Sequence, residues 1–208
     1  MLKGSEFVGA GALVAPEDVA YDSKSGLIYT GCADGWVKRV TLNESAADSV
    51  VENWVFTGGG RLDSLTAIRT RRRCRKYHLR GSKKGSVENF IDHLPGMPDN
   101  IRYDGKASTG LLLATEVTPF WDLALRYPFI RKVLAICGNG AAGRPHMEKN
   151  AGVLAVNLNG EPTAHYSDPE LFLISSGIKI GNYLYCGSIV NPYIIRLDVH
   201  QHPALPTT

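Results

Sequence analysis

The sequence predicts an all-β fold of the β-propeller kind, incomplete, with about four radial sheets and one helical insertion. Three observations lead there. Four short β-rich runs, each closed by an Asp/Ser/Lys/Gly turn, follow one another within about 40 residues, the length of one propeller blade. The same strand and turn rhythm returns after residue 86 and again from residue 152 onward. One stretch of apolar residues at helical spacing interrupts it.

The elements justify themselves in order. Residues 16–22, 25–31, 34–40 and 50–56 are the first four strands, with Asp34-Gly35 punctuating the third. Residues 86–91 read as a strand, Leu94-Pro95-Gly96 as a turn, and 101–103 and 111–115 as strands flanking Asp104-Gly105. From Pro119 the apolar spacing becomes helical, with proline suited to a helix start. Pro128 breaks that helix and the following residues resume it, giving an insertion over 119–136. It serves either to roof a pocket or to cover exposed sheet edges, since apolar helical periodicity is in the first place a burial signal. Residues 138–150 are a Gly-rich polar loop carrying His146, a general base only if a pocket lies beside it and otherwise a surface histidine. Residues 152–157, the Asn159-Gly160 turn and 163–166 form a hairpin signal. Residues 178–180, 183–187 and 193–197 complete the last blade, and the Pro/Thr end, 205–208, is expected to be disordered.

Charge has to be located before it means anything. The net +3 conceals ten Lys/Arg against one acid between Arg61 and Lys84 and a net −6 elsewhere. The run Arg71-Arg72-Arg73-Cys74-Arg75-Lys76 has two readings, a nucleic-acid or nuclear-import patch and a solvated strand and turn. No aromatic interleaving, zinc spacing or recognition-helix pattern accompanies it, so the expectation is a solvated surface and no nucleic-acid partner. Cys32, Cys74, Cys137 and Cys186 are dispersed, without a C-x-x-C pair or a histidine at ligand spacing, which argues against a structural zinc. Cys32 and Cys186 read as buried thiols in apolar strands. No run of 18 apolar residues exists to span a membrane as a helix. Residues 1–15 faintly mimic a signal peptide, but Glu6 and the glycines weaken the apolar core. Asn43-Glu44-Ser45 is a glycosylation acceptor, usable if the chain enters the secretory path.

Two oxygen-rich pairs stand at strand starts, Glu17-Asp18 in the first blade and Asp99-Asn100 after Pro98. With 16–40, 90–105 and 178–198 around them, these words resemble the plant strictosidine synthase-like family, within the six-bladed propeller superfamily of paraoxonases and calcium-dependent lactonases. The resemblance runs over about 2–56 and 72–204, which together form a single incomplete domain, 1–204. Family members are much longer. The join over 58–70 skips roughly two to three blades of chain, so it is expected to be irregular. Six blades need roughly 250–300 residues, more than the 208 present here. A ring cut short leaves open sheet edges, through which self-association is expected.

The resemblance also carries site expectations. It implies that Glu17, Asp99 and Asn100 face one calcium ion near the axis, with further Asn ligands from the middle blades that this chain lacks. Asp99 and Asn100 also read simply as turn caps. Three protein ligands are about half a calcium shell, so binding should be weak, about millimolar. It further implies a small-molecule ester, lactone or alkaloid-like ligand, and residence in the vacuole, endoplasmic reticulum or secretory path. Members carry a signal or anchor upstream, and this chain is expected to begin after it. The founding activity needs a Glu as acid/base, and Ser176 is its nearest counterpart here. A hydroxyl cannot shuttle protons as a tuned carboxylate does, so strictosidine formation is not expected. Three readings stay open: a calcium-assisted lactonase or arylesterase in the full-length form, an inactive propeller fragment that binds at most a partner, and, ranked last, a basic nucleic-acid binder.

Overall fold

The structure is a computed structural model, and it describes residues 4–57, 74–78, 80–103, 110–116, 126–130, 132–133, 151–167 and 173–201. The strands are β1 (Ser5–Val8), β2 (Asp18–Asp22), β3 (Leu27–Gly31), β4 (Trp36–Thr41), β5 (Val50–Phe56), β6 (Cys74–Tyr77) and β7 (Val87–Ile91). They continue as β8 (Gly96–Tyr103), β9 (Gly110–Glu116), β10 (Ala151–Val156), β11 (Pro162–Ser167), β12 (Ile174–Ile180), β13 (Tyr183–Ser188) and β14 (Ile194–Asp198). A 3-10 turn over Ala46–Asp48 joins β4 to β5. Three antiparallel four-stranded sheets result, ordered β2-β3-β4-β5, β8-β9-β10-β11 and β12-β13-β14-β1, with β6-β7 as a separate hairpin. This is the incomplete all-β propeller that the sequence predicts.

The first blade forms where the turn chemistry says it should. Asp22 accepts hydrogen bonds from the backbone N–H of Lys24 and Ser25 and from Ser25 Oγ, and Gly26 supplies the positive φ of 71° that closes β2 onto β3. Asp34 and Gly35, with φ 82°, repeat the device before β4. One face of the sheet alternates into the core through Val19, Ile28 and Val40. Lys38 shares that face although it is charged. It is buried because its ammonium donates to Ala12 O at 2.8 Å and pairs with Asp34 at 2.8 Å.

Closure of the last blade is the feature the sequence reading missed. β1 pairs with β14, Ser5 opposite Leu197 and Val8 opposite Ile194, so the first strand completes the last sheet. Arg196 on β14 secures it. Its guanidinium is fully buried, donating to Glu6 at 2.6 Å, to Asn43 O at 2.8 Å and to Glu44 O at 2.6 Å, and it lies 4.7 Å over the Tyr183 ring.

Core clusters lie between sheets, and they give the order around the axis. Leu154 and Val156 of β10 pack with Ile91 and Leu94 beside the hairpin, while Val153 and Ala155 pack with Leu184, Ile195 and Leu197 of the last blade. Ile194 and Tyr185, on the other side of that blade, meet Val19, Ile28 and Val40 of the first. The inner strand β12 touches both β8 and β2. The series is therefore hairpin, β8–β11 blade, last blade, first blade. Among the described residues no cluster joins the first blade back to the hairpin.

Several expectations need adjusting. Strand β8 begins at Gly96, so Asp99 and Asn100 lie within it at a register shift against β9, not at its start. A bulge accommodates the extra residues without ending the strand. Cys186 is buried in β13 as expected, but Cys32 follows β3 in a turn, half-buried. The basic run is strand where described, Cys74–Tyr77, followed by a turn. Of the 119–136 insertion, residues 126, 128–130, 132 and 133 are helical, Tyr127 is not, and the rest lies outside the described residues. The join over 58–70, Cys137, His146 and 205–208 also lie outside them.

Candidate metal centre

The predicted oxygen ligands stand on or beside β2 and β8, and β12 lies between those two strands. Glu17 immediately precedes β2, held by its N–H donating to Gly31 O at 3.0 Å and by its own carbonyl accepting from Ser175 Oγ. Asn100 donates its Nδ2 to Ser175 O at 2.6 Å, which fixes the amide and leaves its oxygen as the acceptor end. Ser175 thus bridges Glu17 and Asn100, and it sits at a register shift in β12 between Ile174 and Ser176. Both β8 and β12 therefore carry register shifts at these residues, a device that re-aims side chains.

Asp99 completes the group electrostatically. Burial pushes its carboxyl pKa up, and the neighbouring Glu17 carboxylate pushes in the same direction. A carboxyl whose ionisation is made costlier in this way, beside an amide, suits a hard cation with oxygen preference. Asp18, beside Glu17, is not part of the group. Its two oxygens accept from Arg102 Nη2, so the pair ties β2 to β8. Among the described residues no cluster of three or more His, Cys, Asp or Glu could hold a metal ion.

Oxygen crowding at this end dictates a glycine. A Cβ at Gly187 on β13 would lie 2.6 Å from Pro16 O, 2.7 Å from Ser176 Oγ and 2.9 Å from Glu17 O. Ser176 is fully buried and its hydroxyl has no hydrogen-bond partner. No carboxylate stands in its place. Sequence reasoning found the three ligand candidates through the resemblance but missed Ser175. Its only signal was a Ser-Ser pair inside an apolar strand.

Asn43 is exposed at the end of the β4 hairpin region, its Nδ2 donating to Asp48 O at 2.6 Å. No helix among the described residues is long and apolar enough to cross a membrane.

Antiparallel sheets packed face to face in series define an incomplete all-β fold of the propeller class. Comparison with known proteins makes this particular. A family model described as strictosidine synthase-like, N-terminal matches residues 1–40. Strictosidine synthase-like protein 6 of Arabidopsis thaliana is 34% identical over 315 residues, covering 98% of this chain and 84% of the relative. Its paralogue, strictosidine synthase-like protein 7, is 33% identical over the same span. The adipocyte plasma membrane-associated protein of Salmo salar is 26% identical over 187 residues, 84% of this chain and 45% of that protein. The chain belongs to the strictosidine synthase-like family. An alignment of 315 residues cannot be filled by a chain of 208, so the excess is made of the relative's residues facing a gap. That excess is on the order of two propeller blades.

Proposed function

We propose that the chain holds calcium weakly at the Glu17, Asp99 and Asn100 group, on a family scaffold that in its full-length form hydrolyses an ester or lactone. The observation that carries this is the meeting of the Asp99-Asn100 bulge with Glu17 through Ser175. Bound calcium would polarise the carbonyl of such a substrate and steady the negative charge that develops on it. The chain's own residues hold the arrangement. Ser175 fixes Asn100 and the Glu17 backbone, and the absence of a side chain at Gly187 leaves room for the oxygens behind them. The condensation that gives the family its name is not part of this reading, because Ser176 offers a buried hydroxyl and no carboxylate.

Titration calorimetry of the purified chain with calcium tests the site, beside the Glu17→Gln, Asp99→Asn double variant. We expect a dissociation constant around the millimolar range for the native chain and no calcium heat from the variant. Hydrolysis of an aryl ester and of a lactone should then fall on chelation. Identical heats from both proteins would remove the metal site. Retained calcium heat with no turnover would leave the second reading, a binding module without catalysis, which the lack of a cluster of three or more His, Cys, Asp or Glu among the described residues supports.

We also propose passage through the secretory path, toward the vacuole or endoplasmic reticulum, with glycosylation at the exposed Asn43. An endoglycosidase-sensitive mobility shift that disappears in Asn43→Gln is the expected result, and no shift in plant cells would oppose it.

A further inference from the structure

We infer that the uncovered face of the first blade is an isologous interface for a second copy of this chain. The β8–β11 blade and the last blade bury both faces, with Leu154 and Val153, and Ile194 and Ile195, pointing to opposite neighbours. Among the described residues the β2–β5 sheet buries only the face of Val19, Ile28 and Val40. Its other face carries Tyr29, Val37, Arg39 and Glu52 at paired positions. The bulge between Val37 and Lys38 adds Trp54 and Val55 to it, 54% and 42% exposed. Trp54 stands edge-on to Tyr29 at 4.9 Å, so the apolar residues form one strip.

Two observations select a second copy as the occupant. The sequence predicts that the relatives' extra residues belong at the join over 58–70, between β5 and β6, where they would give this face its neighbour in the longer chains. The face is also self-complementary in charge. Arg39 donates to Glu52 at 2.8 Å, and both remain partly exposed, 39% and 50%. Under a two-fold axis each Arg39 meets the other copy's Glu52 while the aromatic strip meets itself. Four strands about 4.8 Å apart and about five residues long present only roughly 300–350 Å2 in projection. A standard interface takes about 800 Å2 per partner, so the dimer is weak, with a micromolar or higher dissociation constant.

Sedimentation equilibrium of the whole chain from about 1 to about 200 µM tests this. The expected result is a reversible monomer–dimer equilibrium that Trp54→Glu weakens about tenfold or more. Arg39→Glu alone places four acids at the axis and should abolish the dimer, while the double exchange Arg39→Glu, Glu52→Arg should restore it. Circular dichroism and unfolding midpoint identify any variant that fails to fold, and the double exchange carries the argument in that case. A concentration-independent monomer would overturn the proposal. So would polymers larger than a dimer that Trp54→Glu leaves unchanged, since these grow through the β5 edge, and so would a dimer indifferent to Arg39→Glu.

Discussion

Arg196 does at the level of one residue what a complete ring does for a longer chain. Its fork reaches a carboxylate on β1 and two carbonyls beyond β4, so the N-terminal strand, the last blade and the first blade share one side chain. Removing it does not strand a buried anion, because Glu6 is 47% exposed and water can take it. The cost falls on the carbonyls and the packing over Tyr183. Arg196→Ala should therefore destabilise by about 2–4 kcal/mol in urea unfolding. Arg196→Lys should recover only part of that, since one ammonium cannot occupy all three positions. Glu88 supplies a second residue-scale expectation. Hydrogen bonds from Lys83 and His78 lower its pKa from 4.5 to about 2. The folded state binds its proton less readily than the unfolded one, so this stabilisation is present above pH 4.5 and is lost as pH falls toward 2. Glu88→Gln should flatten the stability profile across that window, and an unchanged profile would assign the acid sensitivity to other carboxylates.

Elements were legible where turns carry their own chemistry. The first blade was readable because Asp22 and Gly26, then Asp34 and Gly35, punctuate alternating strands. The β10–β11 hairpin was readable because Asn159-Gly160 supplies the positive φ, 86° at Gly160. Strand β1 was not, since four residues, SEFV, give too short a pattern and their partner lies at the far end of the chain. The bulges in β8 and β12 were equally invisible, because an extra residue leaves composition and turn signals unchanged. For the same reason the ligand candidates could be named from the resemblance, but the serine that links two of them could not. Gly160 shows a further role beyond its turn. A Cβ there would run far inside contact distance of Phe90 O, so the hairpin turn of one blade lies directly on β7. Gly160→Ala combines a strained φ with a backbone collision and should cost about 2–4 kcal/mol. Amide exchange should accelerate first in β6 and β7. A variant that unfolds no more easily would show that the hairpin does not depend on this contact.

Among the described residues the β8–β11 blade and the last blade each pack against two neighbours, and the first blade packs against one. The sequence predicts that the excess of the Arabidopsis relative falls at the join over 58–70, between β5 and β6, where that neighbour is needed. Inserting that segment between Thr57 and Cys74 should cover Trp54, Val55 and Tyr29. Each buried large apolar side chain contributes about 1.5–3 kcal/mol, so a few of them suffice to change the behaviour of a domain this size. Three measurements should move together. The chimera should remain monomeric at concentrations where the native chain associates. Its denaturant m-value should rise, because more surface is exposed on unfolding. Calcium affinity should tighten, since the middle blades are where the resemblance places the remaining axial ligands. The combination separates two causes that either alone would confuse. A chimera that is monomeric with unchanged calcium affinity would mean the missing blades cover the face but supply no ligands. One that binds calcium tightly yet still associates would move the self-association to another surface. If neither solubility nor m-value changes, the uncovered face is not a consequence of the gap, and the account of this chain as a propeller lacking its middle blades fails.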